Sequence, residues 1–295
     1  MASDLPLADL APMDDDDRAL VGRAAAGERQ ALEELVRRHQ AWIYNIAIRM
    51  LAHPQDAEDA TQEVLIKALT RLSSFEGRSS VRTWLYRIVV NHVLNMKRGR
   101  LEPEALTFSC YAHGLDNTPD LDPPDETSVP VDVRLVVDEA RISCTSGMLL
   151  CLDRAQRLVY ILGEILEVSD AIGAELLETS RDNFRQRLAR ARRDLHSFMS
   201  DKCGLVDPAN PCRCEKKTRG FIQAGYVDPN KLLFARARIT HVRTVVPQTD
   251  RALTALDAQC ARVYREHPFY EAPDIVPALR RLIESDEFRR ATDLP

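Results

Sequence analysis

From Arg78 to Arg100 the chain reads RSSVRTWLYRIVVNHVLNMKRGR, with six cations, no acid and the rings of Trp84 and Tyr86. Bases stack on rings and nucleic-acid backbones follow cations, so this mixture could hold a single strand. Val81, Trp84, Leu85, Ile88, Val89 and Val93 recur at helical spacing and form a buried stripe behind an N-cap at Ser79 or Ser80. That places Trp84 largely in the core. Arg82, Tyr86, Arg87, Asn91 and Asn95 fall off the stripe and are the candidate contacts.

A second cationic element is ETSRDNFRQRLARARRDL, Glu178 to Leu195. Phe184, Leu188, Ala191 and Leu195 make its apolar stripe, and Arg181, Arg185, Arg187, Arg190, Arg192 and Arg193 occupy the other faces. SDAIGAELLETS precedes it as a short helix and tight turn, with Ser180 as cap. The layout is a helix-turn-helix, whose second helix enters the major groove N-terminus first. Arg181, Asn183 and Arg185 would then lie nearest base edges and the later arginines nearest phosphates. Glu178 stands where glycine is common, and the spacing near Gly173 leaves the register open by one. A solvated arginine face is the other reading of this segment.

Carboxylates form a third group. QDAEDATQEVLIKAL sets Asp56, Asp59 and Glu63 on one helix face, with Glu58 and Gln62 beside them. No His or Cys joins them, which leaves a solvated face or a protein-docking ridge. Three of the seven cysteines, Cys203, Cys212 and Cys214, gather in KCGLVDPANPCRCEKK. They could hold Zn²⁺ or a softer ion with His196 or Cys260, or be buried thiols, since the spacing is not that of a zinc ribbon.

These groups need helices to position them. Composition leans to Ala, Leu, Arg and Glu with few β-branched runs, so the expected fold is all-α. Its divisions are an acidic, disordered N-terminus (1–17), a helical domain (18–100), a flexible acidic Pro-rich linker (101–130), a helix-turn-helix domain (131–202) and a mostly helical C-terminal extension (203–295) carrying the cysteine cluster. No apolar run approaches the roughly 18 residues needed to span a bilayer, and the acidic start is no signal peptide. A cytoplasmic protein without membrane insertion is the expectation. No nucleophile with its base, Gly-rich phosphate loop or His/carboxylate metal motif is present, which argues against an enzyme. The net charge of −5 hides a segregation of acids and bases, and it is the distribution that matters for binding nucleic acid.

The segments ALEELVRRHQAWIYNIAIRML, DAEDATQEVLIKAL, FEGRSSVRTWLYRIVVNHVLNMKRGR and, more weakly, IGAELLETSRDNFRQRLARARRDL resemble the extracytoplasmic-function (ECF) sigma factors of bacterial RNA polymerase. The resemblance implies sigma domain 2, then the linker, then sigma domain 4. It implies binding to core polymerase, β subunit included, with Asp56, Glu58, Asp59, Gln62 and Glu63 on the β′ clamp helices. The loop holding Phe75, Arg78, Ser79 and Ser80 would capture flipped −10 bases together with the helix Val81–Asn95. Arg98 is a further DNA contact on that element. Arg181, Asn183, Arg185, Arg187 and Arg190 would grip the −35 duplex. An anti-sigma partner and a regulatory role for the extension are also implied. A stand-alone helix-turn-helix regulator is the alternative, and it leaves the acidic ridge and the first basic element unexplained.

Overall fold

The structure is a computed structural model that describes residues 14–96, 106–124, 129–234, 255–265, 267, 270 and 272–283. Among the described residues every extended element is helical, as the composition predicts. A lone backbone bridge pairs Cys203 with Cys212.

Four helices build the first unit: α1 (Asp14–Ala25), α2 (Arg29–Leu51), α3 (Pro54–Leu69) and α4 (Val81–Asn95). Local chemistry sets their ends. The left-handed residue Ala52 (φ 53°) closes α2. Proline opens α3 at a position where its missing N–H costs nothing. The Ser80 hydroxyl accepts the Thr83 N–H at 3.0 Å and caps α4. Leu32, Ile43, Ile46, Val64, Leu85 and Val89 meet in the core between them.

The last four residues of the segment 1–17, expected to be disordered, are helical. Asp14 to Asp17 belong to α1, and Asp17 is buried. Burial opposes its ionisation, but hydrogen bonds from His39 and Arg38 outweigh that and hold its carboxyl below the ordinary value.

The linker also departs from expectation. Within 101–130 lies α5 (Phe108–Asn117), capped by Thr107. Phe108, Tyr111 and Leu115 form an apolar stripe there. The Phe108 and Tyr111 rings pack against Phe198, and the Tyr111 hydroxyl donates to the Cys144 carbonyl at 2.7 Å. Prolines and acids flank these roughly two turns of hydrophobic pattern, but they do not prevent the helix from docking.

The second unit comprises α6 (Val133–Leu150), α7 (Arg154–Tyr160), α8 (Asp170–Leu176) and α9 (Arg181–Lys202). After α7 the chain widens for one turn, Ile161–Ile165, closed by the Leu166 N–H on the Ile161 carbonyl. The extension adds α10 (Cys214–Gln223), α11 (Ala255–Arg265) and α12 (Val276–Ile283). Arg157 joins the two units from full burial, donating to the carbonyls of Met50, Leu149, Leu150 and Leu152. One continuous core of buried residues runs from Leu20 to Leu279.

His267 gives this packing a pH signature. It is buried with Nε2 2.7 Å from the Thr145 hydroxyl. Burial, with Arg49 and Arg141 nearby, pushes its imidazole down to about 3. An unfolded imidazole titrates near 6.5, so between these values only the unfolded chain takes up the proton. Stability should therefore fall as pH drops from 6.5 towards 3, by up to about 1.4 kcal/mol per pH unit from this group. Urea unfolding of His267→Asn over this range should show a shallower decline than the unchanged chain; identical slopes would exclude the effect.

Candidate nucleic-acid interface

Helix α4 lies at the centre of the molecule, against α1, α2, α3, α7 and α8. This wide contact overturns one expectation. Tyr86 is only 2% exposed, and its ring stacks on Trp42 with centroids 4.3 Å apart. Its hydroxyl finds no partner, and burial raises it well beyond the ordinary phenol value. Trp84 is instead the half-buried ring, 5.5 Å from Phe75. The single-stripe pattern assigned these two rings the wrong way round, because α4 is covered on more than one side. The aromatic surface available for stacking is therefore Phe75 with Trp84.

The loop before α4 is tied down. Arg18 of α1 donates to the carbonyls of Gly77 and Ser79, each at 3.2 Å. Nothing in the first basic segment signalled that a distant arginine would brace it. Arg78 is highly exposed and pairs with Glu76. Asn91 and Asn95 face solvent, with Asn95 donating to the Asn91 carbonyl. Arg82 is partly buried, and Arg98 lies outside the described residues. Arg87 reaches across to the second unit, where its Nη2 lies 2.9 Å from Glu175 on α8.

The helix-turn-helix forms as its pattern predicts, with the register now fixed. Ser169 caps α8 and Ser180 caps α9, accepting the Asn183 N–H at 3.2 Å. Glu178 takes the left-handed conformation, φ 49°, that glycine would adopt more readily. Gly173 marks the crossing of the two helices: a Cβ there would come within 2.4 Å of the Phe184 ring. Arg181, Arg185 and Arg190 face outward from α9, and Arg187 is partly exposed. Arg185 is engaged by Asp170 of α8, whose carboxyl it holds below the ordinary value. The Asn183 amide donates to the Thr179 hydroxyl at 2.6 Å. Arg192 pairs with the buried Glu164.

On α3, Asp59 and Glu63 are exposed, while Asp56, Glu58 and Gln62 are partly covered. Asp56 sits 3.4 Å from the capping His53, and Glu63 sits 3.8 Å from Lys67. The ridge is real and points outward.

The cysteines behave differently. Among the described residues no group of three or more His, Cys, Asp or Glu is placed to hold a metal ion. Burial pushes the Cys203, Cys212 and Cys214 thiols up, the last to about 12. His196 is occupied by Asp257 at 2.7 Å and by the Tyr160 hydroxyl at 2.9 Å. Of the residues expected to hold Zn²⁺, Cys203 and Cys212 are brought side by side by a backbone bridge.

Residues 35–101 match the family model for sigma-70 region 2. The chain is 30% identical over 184 residues to RNA polymerase sigma factor NccH of Alcaligenes xylosoxydans xylosoxydans, covering 62% of this chain and 94% of that one. It is 32% identical over 172 residues to RNA polymerase sigma factor YlaC of Bacillus subtilis, covering 58% and 94%. The chain belongs to the ECF sigma factors. A factor of this family confers promoter specificity on RNA polymerase in transcription initiation. The solved structure of CnrH in complex with the cytosolic domain of CnrY is also similar, 25% identical over 62% of this chain and 97% of that one, with a TM-score of 0.43. No helix among the described residues of this sigma factor is long and apolar enough to cross a membrane.

The reassignment of Tyr86 is open to a direct check. Removing an unpartnered buried hydroxyl should leave stability unchanged or raise it by up to about 1 kcal/mol. Urea unfolding of Tyr86→Phe measures this, and a clear loss would show that the hydroxyl makes a bond of its own.

Proposed function

We propose that this sigma factor works by binding alone, holding promoter DNA at two separated places while it rides on core polymerase in the cytoplasm. The observation that carries the reading is the presence in one chain of three outward surfaces of suitable chemistry: the Asp59–Glu63 ridge, the braced Phe75–Trp84 platform and the arginines of a capped helix-turn-helix.

The exposed acids of α3, with Asp56, Glu58 and Gln62 beside them, suit a basic docking surface such as the β′ clamp helices. Phe75 and Trp84 offer a face for an extruded −10 base, with Arg78, Ser79, Ser80, Arg82, Asn91 and Asn95 along the strand's path. Unstacking DNA costs a few kcal/mol per step, and capture of the extruded base offsets it. On α9, Arg181 and Asn183 lie at the N-terminal end that enters the groove, and Arg187 and Arg190 lie where phosphates pass. Neither contact need be tight, because attachment to polymerase raises the effective concentration of each. An anti-sigma factor is part of the proposal as a further protein partner.

Run-off transcription with purified core polymerase tests the whole reading. The full chain should support initiation from at least one genomic promoter, and failure on all of them would overturn it. Within that assay, Asp59→Lys with Glu63→Lys should weaken association with core by more than about tenfold; unchanged association would remove the ridge from the interface. Arg187→Ala and Arg190→Ala should each lower the slope of log affinity against log salt for −35 duplex by about 1. A salt dependence equal to that of the unchanged chain would show that these residues only face water.

A further inference from the structure

The C-terminal extension crosses from one DNA-binding unit to the other and is anchored on both. On the second unit, Asp257 of α11 meets His196 at 2.7 Å. Gln259 donates to the Leu205 carbonyl at 3.0 Å, and the Tyr264 hydroxyl donates to the Thr145 carbonyl at 3.2 Å. Arg265 binds both the carbonyl of Glu164, at 2.8 Å, and its carboxylate, and reaches Glu167 at 3.0 Å. The chain then turns towards the first unit. There Tyr270 and Asn45 exchange two bonds: the Asn45 amide donates to the Tyr270 carbonyl at 2.7 Å and accepts its N–H at 3.0 Å. The Tyr270 ring is buried under the Arg49 guanidinium, 5.9 Å from its centroid. Leu279 and Ile275 enter the core, and Arg280 clasps Glu33 of α2 at 2.6 Å.

What this crossing holds together matters for the proposed function. In the same state α4 touches α8, Arg87 is paired with Glu175, and Arg154 of α7 donates to the Met96 carbonyl just beyond α4. The helix proposed to line the melted strand thus abuts the first helix of the helix-turn-helix. Two units in direct contact cannot reach two separated promoter elements at once, and Arg87 cannot grip a strand until it leaves Glu175.

We infer that α11, Tyr270 and α12 form an intramolecular strap that holds the two DNA-binding units closed, so that promoter engagement requires its release. The inference rests on the DNA-facing roles proposed above for α4, α8 and α9. The strap's ends differ in kind. Its middle, at His267 and Tyr270, is buried and neutral. Its flanks are ion pairs of different depth: Arg265 rests on the buried Glu164, whereas Arg280 meets Glu33 near the surface. A pair near the surface is weak and screened by salt, which makes the Arg280 end the place where release can begin.

Two measurements on the full chain decide this. Small-angle X-ray scattering reads the closed state without any assumption about DNA, and run-off transcription with core polymerase reads its consequence. The double variant Arg265→Glu with Arg280→Glu should scatter as an expanded particle and raise initiation by at least about tenfold, since it removes one surface pair and one pair to a buried carboxylate. Adding Glu33→Arg to Arg280→Glu restores an opposite-charge pair at one anchor and should restore compaction. The milder Arg265→Ala with Arg280→Ala, checked for full helix content by circular dichroism, should shift both readouts the same way if the charge reversals fail to fold. Unchanged scattering in the variants overturns the strap. Expansion with unchanged initiation overturns its restraining role. Expansion in a protein that never initiates, strapped or not, supports the strap and overturns the promoter reading instead.

Discussion

A guanidinium in a protein core is tolerated only where enough carbonyl oxygens converge on it, and the position of Arg157 depends on such a convergence. α2 ends at Leu51 and α6 at Leu150, each leaving carbonyls without intrahelical partners. Arg157, 2% exposed, takes Met50 from one helix end and Leu149, Leu150 and Leu152 from the other. A cation there also suits the negative end of both helix dipoles. Removing the guanidinium would strand several buried carbonyls, each costing about 1–3 kcal/mol. Everything that relates one DNA-facing surface to the other follows from this junction: α7 is fixed against α2, the widened turn carries Glu164 beneath α9, and α8 comes to rest on α4.

How much of this was legible from residues alone can be traced element by element. Ser80 and Ser180 announced both functional helices, because capping is a local interaction between a side chain and a backbone N–H three residues on. The outward arginines of α9 and the acids of α3 were legible for the same reason: a helix face is set by spacing. Tyr86 was not, since its burial depends on Trp42 in a helix some forty residues earlier. Nor was α5, whose three-residue stripe is too short to stand out from prolines and acids until α6 and α9 supply its other half. The brace from Arg18 to the Gly77 and Ser79 carbonyls is a contact between distant segments and leaves no mark on either one. The cysteines are close in sequence, but spacing did not show that Cys203 would be part of the core.

The net charge of −5 takes on a meaning once the ion pairs are placed. Several cations suited to DNA already rest against a carboxylate of the same chain: Arg87 on Glu175, Arg185 on Asp170, Arg192 on Glu164. The first two lie where solvent screens them, so each pair is weak. A phosphate contact gains the same Coulomb attraction and, in addition, releases condensed counterions. Exchange of carboxylate for phosphate at Arg87 or Arg185 is therefore close to neutral on the protein side and favourable on the DNA side. Arg192 differs, because Glu164 is 1% exposed and also holds Arg265. Freeing Arg192 would leave a buried carboxylate short of one partner, which is costly. The acids thus sort the arginines of α9 into those that can change partners with DNA and one that is committed to the fold.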